Sequence, residues 1–145
     1  MARASADQAP MRAVLFDTNV VLDVLLDREP HVHASAQAMA LVERGEVRGF
    51  LCATTVTTLF YLASRALDAR RARGQIEALL RLFDVAPVTR LVLTDALGIG
   101  FADYEDAVLH EAARHAGVLC IVTRNVRDFS AATLPVLAPD EFLSG

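Results

Sequence analysis

Residues 13–22 have the sequence AVLFDTNVVL, in which an apolar run ends in three polar residues, Asp17, Thr18 and Asn19. A short apolar run with such an abrupt polar boundary is typical of a buried strand. Asp, Thr and Asn are also preferred at the N-terminus of a helix, and apolar residues resume directly after them. We therefore predict a buried strand over residues 12–16 and a short helix over residues 19–27.

Strand and helix signals alternate along the rest of the chain. Apolar runs predict further strands at residues 49–53, 85–88, 118–122 and 136–137. Helical spacing of apolar residues predicts helices at 33–44, 90–97 and 103–116, two further helices whose apolar positions fall within residues 56–67 and 76–83, and a helical turn at 139–143. Strands that alternate with helices pair in parallel through right-handed crossovers. The predicted fold class is α/β, a three-layer α/β/α sandwich with a central parallel sheet.

Length and composition predict one domain. The chain has 145 residues and is 54% apolar, which suffices for one hydrophobic core. We expect a flexible leader over residues 1–10 and a single domain over residues 11–145. Apolar stretches are interrupted before the roughly 18 residues that a membrane span needs, so we expect a soluble, cytoplasmic protein with no membrane partner. Cys52 and Cys120 lie inside apolar runs and are expected to be buried free thiols.

All 14 basic residues are Arg, and the chain has no Lys. Without Lys, Walker-type phosphate loops and Schiff-base chemistry are excluded. A net charge of −4 also argues against a protein whose affinity for nucleic acid rests on neutralising many phosphates. Local clusters of Arg are either solvated helix and loop positions or phosphate contacts, and the candidates for phosphate contact are Arg65, Arg70, Arg124 and Arg127.

Four acidic residues are expected to meet at one edge of the sheet. Asp17 ends the first predicted strand, Asp103 and Asp106 open the helix before the strand at 118–122, and Asp128 follows that strand. Open α/β sheets bind ligands at the carboxyl ends of their strands. Clustered carboxylates must either hold cations or have raised pKa values, because like charges a few ångströms apart repel. Oxygen ligands favour Mg²⁺ or Mn²⁺, and we predict a site for one of these ions.

A structural role is the alternative for each acid. Asp17 and Asp103 precede helices and could be N-caps, and Asp128 could pair with a neighbouring Arg. Asp106 is harder to explain in this way, because it lies beside the apolar face of its helix and a carboxylate there needs a partner.

Three segments together resemble the PIN domain, a family of metal-dependent nucleases: residues 16–20 (FDTNV), 103–107 (DYEDA) and 121–125 (IVTRN). The resemblance covers about residues 12–130. It implies one or two Mg²⁺ or Mn²⁺ ions held by the acids, and endonucleolytic cleavage of RNA by metal-activated water. Many small bacterial members, the VapC-type toxins, pair with an antitoxin protein that blocks the site, so the resemblance also implies such a partner.

Carried over by motif, the resemblance assigns roles to individual residues. Asp17 would be the central metal ligand, Asp106 a second ligand and Asp103 an accompanying acid. Asp128 would be the nearest acid on a loop where many members have Asp and this chain has Asn125. Thr123 and Arg124 could contact the phosphate backbone. The supporting polar residues would be Thr18, Asn19, Thr58, Thr123 and Asn125.

The helix after the second strand departs from the family pattern. Most members have a Glu early in that helix, at the position that Thr58 occupies here. A hydroxyl cannot replace a carboxylate's charge, so the resemblance implies weaker cation binding or the loss of a second ion. Two hypotheses follow. The chain is a metal-dependent ribonuclease, the toxin of a toxin–antitoxin pair, or it is a catalytically degraded module that acts by binding RNA or protein.

A phosphatase of the haloacid type also begins with a strand and an Asp, but it needs a second Asp where this chain has Asn19. The first predicted helix is apolar on nearly every side, so either the domain buries it or a partner subunit does. We favour a homodimer.

Overall fold

The computed structural model describes residues 11–145, and the leader predicted for residues 1–10 lies outside them. The described residues form five strands and seven α-helices. The strands are β1 (Arg12–Phe16), β2 (Val47–Cys52), β3 (Asp84–Ala86), β4 (Cys120–Val122) and β5 (Val136–Leu137). The helices are α1 (Thr18–Leu25), α2 (Val32–Glu43), α3 (Ala53–Ala66), α4 (Ala69–Leu82), α5 (Arg90–Ala96), α6 (Tyr104–His115) and α7 (Pro139–Ser144), with a 3₁₀ helix at Val126–Phe129.

The five strands form one parallel sheet in the order β3-β2-β1-β4-β5. Val14, in the central strand β1, pairs with Gly49 of β2 on one side and with Cys120 of β4 on the other. The chain builds the sheet outward from β1 to β3 and then crosses to β4, so the strand order reverses between β1 and β4. Open sheets bind ligands at such a switch point.

Alternation along β1 gives the sheet two apolar faces. Val14 and Phe16 belong to one core, which packs against α1 to α4 and α7. Leu15 belongs to the other core, which packs against α5 and α6. Helices therefore cover both faces, and the predicted three-layer α/β/α sandwich is confirmed.

Several strand boundaries differ from the prediction by about two residues. Strand β2 already begins at Val47, which is buried and pairs with Arg12. Strand β4 begins only at Cys120, because Gly117 ends α6 with φ of 79° and Leu119 in the following connection is 58% exposed. Apolar composition alone did not distinguish a strand from its exposed lead-in. Cys52 and Cys120 are buried free cysteines, as predicted.

The apolar helix α1 is buried by the domain itself. Val20, Val21 and Leu22 are buried in the first core, and Val24 and Leu25 pack against it. The apolar character of α1 therefore no longer argues for a homodimer. None of the helices between residues 11 and 145 is long and apolar enough to cross a membrane.

Gly49 is where β2 passes closest to its neighbours. A Cβ atom on Gly49 would lie 2.7 Å from two ring carbons of Phe83 and 2.8 Å from a methyl carbon of Val42, and both side chains are buried. We expect Gly49→Ala to lower the free energy of unfolding by about 1–3 kcal/mol, because an overpacked core cannot shift freely. Gly74→Ala is the control, since a Cβ there meets nothing within 4 Å. In the interior of α4 it should instead stabilise by about 0.5–1 kcal/mol. Urea unfolding measures both, and equal stability of the two variants would contradict the packing argument.

Candidate active site

A polar cleft lies at the carboxyl edge of β1, β2 and β4, beside the switch point. It has a volume of about 210 Å³. The first turn of α1, the first two turns of α3 and α6, and the loop after β4 supply its walls. The lining residues are Asp17, Thr18, Asn19, Thr54, Thr55, Thr58, Glu105, Asp106, Leu109 and Asn125.

Asp17 is buried and caps helix α1. Its Oδ1 accepts a hydrogen bond of 2.7 Å from the backbone N–H of Thr18. Its Oδ2 accepts one of 2.8 Å from the Thr123 hydroxyl and a longer one of 3.4 Å from the Asn19 amide. The capping role and the place in the cleft therefore coexist in Asp17, and three hydrogen-bond donors fix the direction of its carboxylate.

Burial raises the pKa of the Asp17 carboxyl above its ordinary value. The hydrogen bonds from Thr123 and from the Thr18 backbone oppose this rise, because they favour the charged form. The negative charges of Asp103 and Asp128 add to the rise. Both of these acids therefore influence the cleft although neither lines it.

Asp106 has the more strongly perturbed carboxyl. Burial raises its pKa from 3.8 to about 7, and the charges of Asp17, Asp103, Asp128 and Glu105 contribute in that order. A half-buried carboxyl surrounded by four others binds a proton or another cation more tightly than an isolated carboxyl does.

Asp103 and Asp128 are exposed and do not line the cleft, unlike Asp17 and Asp106. Asp103 is exposed and caps α6, with its Oδ1 accepting a bond of 3.0 Å from the backbone N–H of Asp106. Asp128 is exposed in the 3₁₀ helix. Asp103 is therefore an N-cap, the structural role considered for it from the sequence. Its charge also raises the pKa of Asp17 and of Asp106.

Thr58 lines the cleft, one helical turn beyond Thr54 on the same wall. Helix α3 begins immediately after β2, so its first two turns lie at the carboxyl edge of the sheet. Thr55 is buried and bonds the hydroxyl of Thr18 at 2.9 Å. Thr54, Thr55 and Glu105 were not predicted as cleft residues. The spacing of Thr54 and Thr58 by four and the position of Glu105 next to Asp106 were the available signals.

The donor set of the cleft fits a hydrated hard cation. Carboxylate, hydroxyl and amide oxygens line it, and none of its lining residues between 11 and 145 is basic. Its carboxylates do not gather three ligand atoms as tightly as a dehydrated metal requires. Such a group of three, all within 4.8 Å, occurs in the described chain at Asp95, Glu111 and His115. Mg²⁺ keeps several water ligands and needs few carboxylates, so the cleft suits it or Mn²⁺.

The Asp95, Glu111 and His115 group lies on α5 and α6, and the guanidinium of Arg114 already neutralises it. The guanidinium of Arg114 is 3.2 Å from Asp95 Oδ2 and 2.8 Å from Glu111 Oε1. Hydrogen bonds from Arg114 and His110 lower the pKa of Glu111 against the opposing effect of its burial. The group is thus a partly exposed ion-pair network that joins α5 to α6.

The predicted Arg residues are not gathered at the cleft. Arg124 follows a cleft-facing strand end, but its guanidinium binds the buried carboxylate of Asp23. Arg127 is exposed in the 3₁₀ helix. Arg65 lies eleven positions after Thr54 on α3, about 16 Å further along the helix axis, and stacks on Tyr61. Arg70 lies beyond that, in the first turn of α4.

Fold and cleft together define a doubly wound α/β domain with an acidic site at its switch point. The family model described as the PIN domain matches residues 13–127, and the chain belongs to the PIN domain family. The resemblance drawn from the three sequence segments is thereby confirmed.

Solved structures share this fold at low sequence identity. A toxin–antitoxin complex from Klebsiella pneumoniae has 21% identity and a TM-score of 0.67, covering 87% of this chain and 97% of its own. FitAcB from Neisseria gonorrhoeae has 22% identity, a TM-score of 0.67 and the same coverage of 87% and 97%. The sarcin-ricin loop cleaving toxin VapC20 from Mycobacterium tuberculosis has 13% identity and a TM-score of 0.60, covering 74% and 86%. No curated protein matches the chain. At these identities the likeness establishes the fold alone.

Proposed function

We propose that this PIN domain protein is a Mg²⁺- or Mn²⁺-dependent endoribonuclease and the toxin of a toxin–antitoxin pair. One observation carries the proposal. Asp17 and Asp106, supplied by the ends of sequence-distant elements, line one cleft, and the pKa of each carboxyl is raised there. Such a cleft favours cations, and a divalent ion in it would attract a phosphodiester.

The side chains of the cleft would divide the work. Asp17, fixed by Thr123 and Thr18, and Asp106 would hold the ion on one side. When bound, the ion would supply an activated water and polarise the scissile phosphate. Thr54 and Thr58 of α3 also line the cleft, and their hydroxyls would donate hydrogen bonds to phosphate oxygens.

Cleavage of RNA by the purified protein tests the function. RNA should be cut internally in the presence of Mg²⁺ or Mn²⁺, and EDTA should abolish the cutting. Cleavage that persists unchanged in EDTA would reject the metal-dependent reaction.

The partners of the proposed toxin follow from related proteins. The Klebsiella pneumoniae structure is a complex of toxin and antitoxin, which supports an antitoxin partner for this chain as well. A homodimer in the cytoplasm is part of the same proposal. Its remaining structural support is the exposed apolar surface of α5 and of the residue that follows it, where Leu91 is 59% and Leu97 is 75% exposed.

A degraded module that binds RNA or protein is the second candidate. Two observations favour it: a neutral Thr58 on the cleft wall, and carboxylates that do not gather three ligand atoms within 4.8 Å. Binding of Mn²⁺ separates the candidates. Binding at millimolar or lower concentration, lost in Asp17→Asn, supports the ribonuclease, and the absence of binding supports the module.

We expect Thr58→Glu to strengthen Mn²⁺ binding about tenfold, because ligand charge tunes the affinity of oxygen sites. The side chain of Thr58 lines the cleft, so a carboxylate there would add to Asp17 and Asp106. Thr57→Glu is the matched control, because Thr57 is exposed on the same helix turn and does not line the cleft. Isothermal titration with Mn²⁺ compares the variants. Equal gains at positions 57 and 58 would point to a general charge effect.

A further inference from the structure

Asp23 is a fully buried carboxylate that the proposed reaction does not use. It lies on α1, is 0% exposed, and is bound by two Arg residues from different segments. Arg124 donates to both of its oxygens, with Nε 2.6 Å from Oδ2 and a terminal nitrogen 3.3 Å from Oδ1. Arg28 contacts Oδ1 through Nε at 3.0 Å and through a terminal nitrogen at 2.9 Å.

Stability alone is a weak reason for such a buried charge. Removing a carboxylate from water costs several kcal/mol, and a well-packed apolar residue often stabilises a core as much as an ion pair does. The neighbours of Asp23 on α1, Val20, Val21 and Leu22, are apolar and buried. What a bidentate Arg–carboxylate pair adds is a fixed direction between the two segments that it joins.

The segment that Arg124 joins to α1 is the loop that completes the cleft. The backbone N–H of Arg124 donates to Asn19 Oδ1 at 3.2 Å, one helical turn before Asp23. On one side of Arg124, the Thr123 hydroxyl donates to Asp17 Oδ2. On its other side, Asn125 lines the cleft, and its N–H donates to the Thr123 hydroxyl at 3.0 Å. Helix α1 thus holds this loop at Asp17, Asn19 and Asp23.

We propose that Arg124 and Asp23 are positioning residues that clamp the loop of residues 123–125 onto α1 and so set the carboxylate of Asp17 for cation binding. This inference rests on the ribonuclease function proposed above. The clamp acts through Thr123 and Asn19, both of which bond Asp17. Arg124 then serves the site without contacting RNA.

The competing role for Arg124 is the phosphate contact expected from the sequence. Its side chain is 26% exposed, and the bonded edge of its guanidinium points to Asp23. The two roles predict different defects. Loss of a phosphate contact weakens RNA binding and lowers its dependence on salt concentration, with no effect on metal binding. Loss of the clamp weakens metal binding and loosens the loop, and leaves the salt dependence of RNA binding unchanged.

Arg124→Gln tests the clamp, and Arg28→Gln is its matched control. Both substitutions remove one of the two Arg partners of Asp23 and leave the other, so both proteins should fold. Only Arg124 belongs to the loop of residues 123–125, whereas Arg28 lies in the segment that follows α1. Three measurements are made on each variant: hydrogen exchange of the Arg124 and Asn125 amide positions without metal, Mn²⁺ affinity, and RNA affinity against salt.

In Arg124→Gln we expect the exchange of the amides at positions 124 and 125 to accelerate about tenfold, since their local opening becomes easier. We expect its Mn²⁺ affinity to fall about tenfold to 100-fold, as when an outer-shell partner of a metal ligand is lost. Arg28→Gln should leave both quantities within about twofold of the wild type. The salt dependence of RNA binding should stay the same in both.

Other outcomes overturn the clamp. Unchanged exchange and unchanged Mn²⁺ affinity in Arg124→Gln, with weaker RNA binding, would make Arg124 a phosphate contact. Equal defects in the two variants would make the ion pairs a general support of the fold. If the wild type binds no Mn²⁺, the proposed function fails, and amide exchange in the metal-free variants still decides whether Arg124 clamps the loop.

Discussion

Asp106→Asn is expected to lower the rate of RNA cleavage about 1,000-fold, since the lost charge contributes several kcal/mol to binding and orienting the catalytic ion. The substitution keeps the size of the side chain and removes only its charge. Asp106 lines the cleft, and its neighbours are acidic. Cleavage of an RNA substrate under single-turnover conditions with saturating enzyme and fixed Mn²⁺ measures the effect.

Stability separates this loss from unfolding. The raised pKa of Asp106 means that its ionised form destabilises the metal-free folded state at neutral pH. Asp106→Asn should therefore be at least as stable as the wild type at pH 7 without metal, while it is inactive. Glu77→Gln removes an exposed carboxylate on α4, outside the cleft, and should keep full activity.

Asp17→Asn should be equally inactive but should gain less stability than Asp106→Asn, because it removes hydrogen bonds together with a buried charge. Its amide nitrogen cannot accept the hydrogen bonds that Asp17 Oδ2 takes from the Thr123 hydroxyl and the Asn19 amide. Leaving buried donors unpaired costs about 1–3 kcal/mol. Undiminished cleavage by either Asp variant would remove these residues from the reaction.

The fold was predictable from the sequence because its signals are local. The boundary between Phe16 and Asp17 marks a strand end, and Gly117 marks a helix end with positive φ. The alternation of such signals is sufficient to predict a parallel sheet with helices on both faces. Exposed apolar residues such as Leu119 are what shifted the predicted strand ends.

The site was only partly predictable, because its contacts depend on side-chain direction. Asp17, Asp106 and Thr58 could be placed in one cleft from their positions at strand and helix ends. Asp23 could not, since one acid in an apolar helix gives no sign of the Arg that neutralises it. Arg124 has the sequence position of a phosphate contact, and only coordinates reveal that its guanidinium binds inward.

The positions of the Arg residues relative to the cleft could not be predicted from the sequence either. Arg65 and Arg70 lie close together along the chain, which suggested a patch. They lie far from the cleft because α3 begins at the carboxyl ends of the strands, beside the cleft, and runs back toward their amino ends before Arg65 and Arg70 are reached. Their contact with RNA stays a prediction, and it would require a substrate that extends well beyond the scissile bond.

We expect the apparent Mn²⁺ affinity of the wild type to fall about 50-fold between pH 7 and pH 5, because a ligand carboxyl must lose its proton before it binds metal. The pKa of Asp106 is raised to about 7, so each pH unit further below this value lowers the deprotonated fraction of Asp106 about tenfold. An ordinary carboxyl, with a pKa of 3.8, would give almost no change over this range. Isothermal titration at several pH values measures the slope.

The metal-free protein should show the opposite dependence in its stability. The folded-state pKa of Asp106 lies above its ordinary value of 3.8, so the folded state holds the proton more tightly than the unfolded chain does. This contribution is complete below about pH 3.8 and is lost as the pH rises through about 7. Urea unfolding without metal should therefore reveal a stability contribution that declines from pH 4 to pH 7, and Asp106→Asn should lack it. Added Mn²⁺ should restore stability mainly at the upper end of this pH range, where the carboxylates are charged.

A Mn²⁺ affinity that is the same at pH 5 and pH 7 would mean that Asp106 is not a ligand, whatever its effect on cleavage.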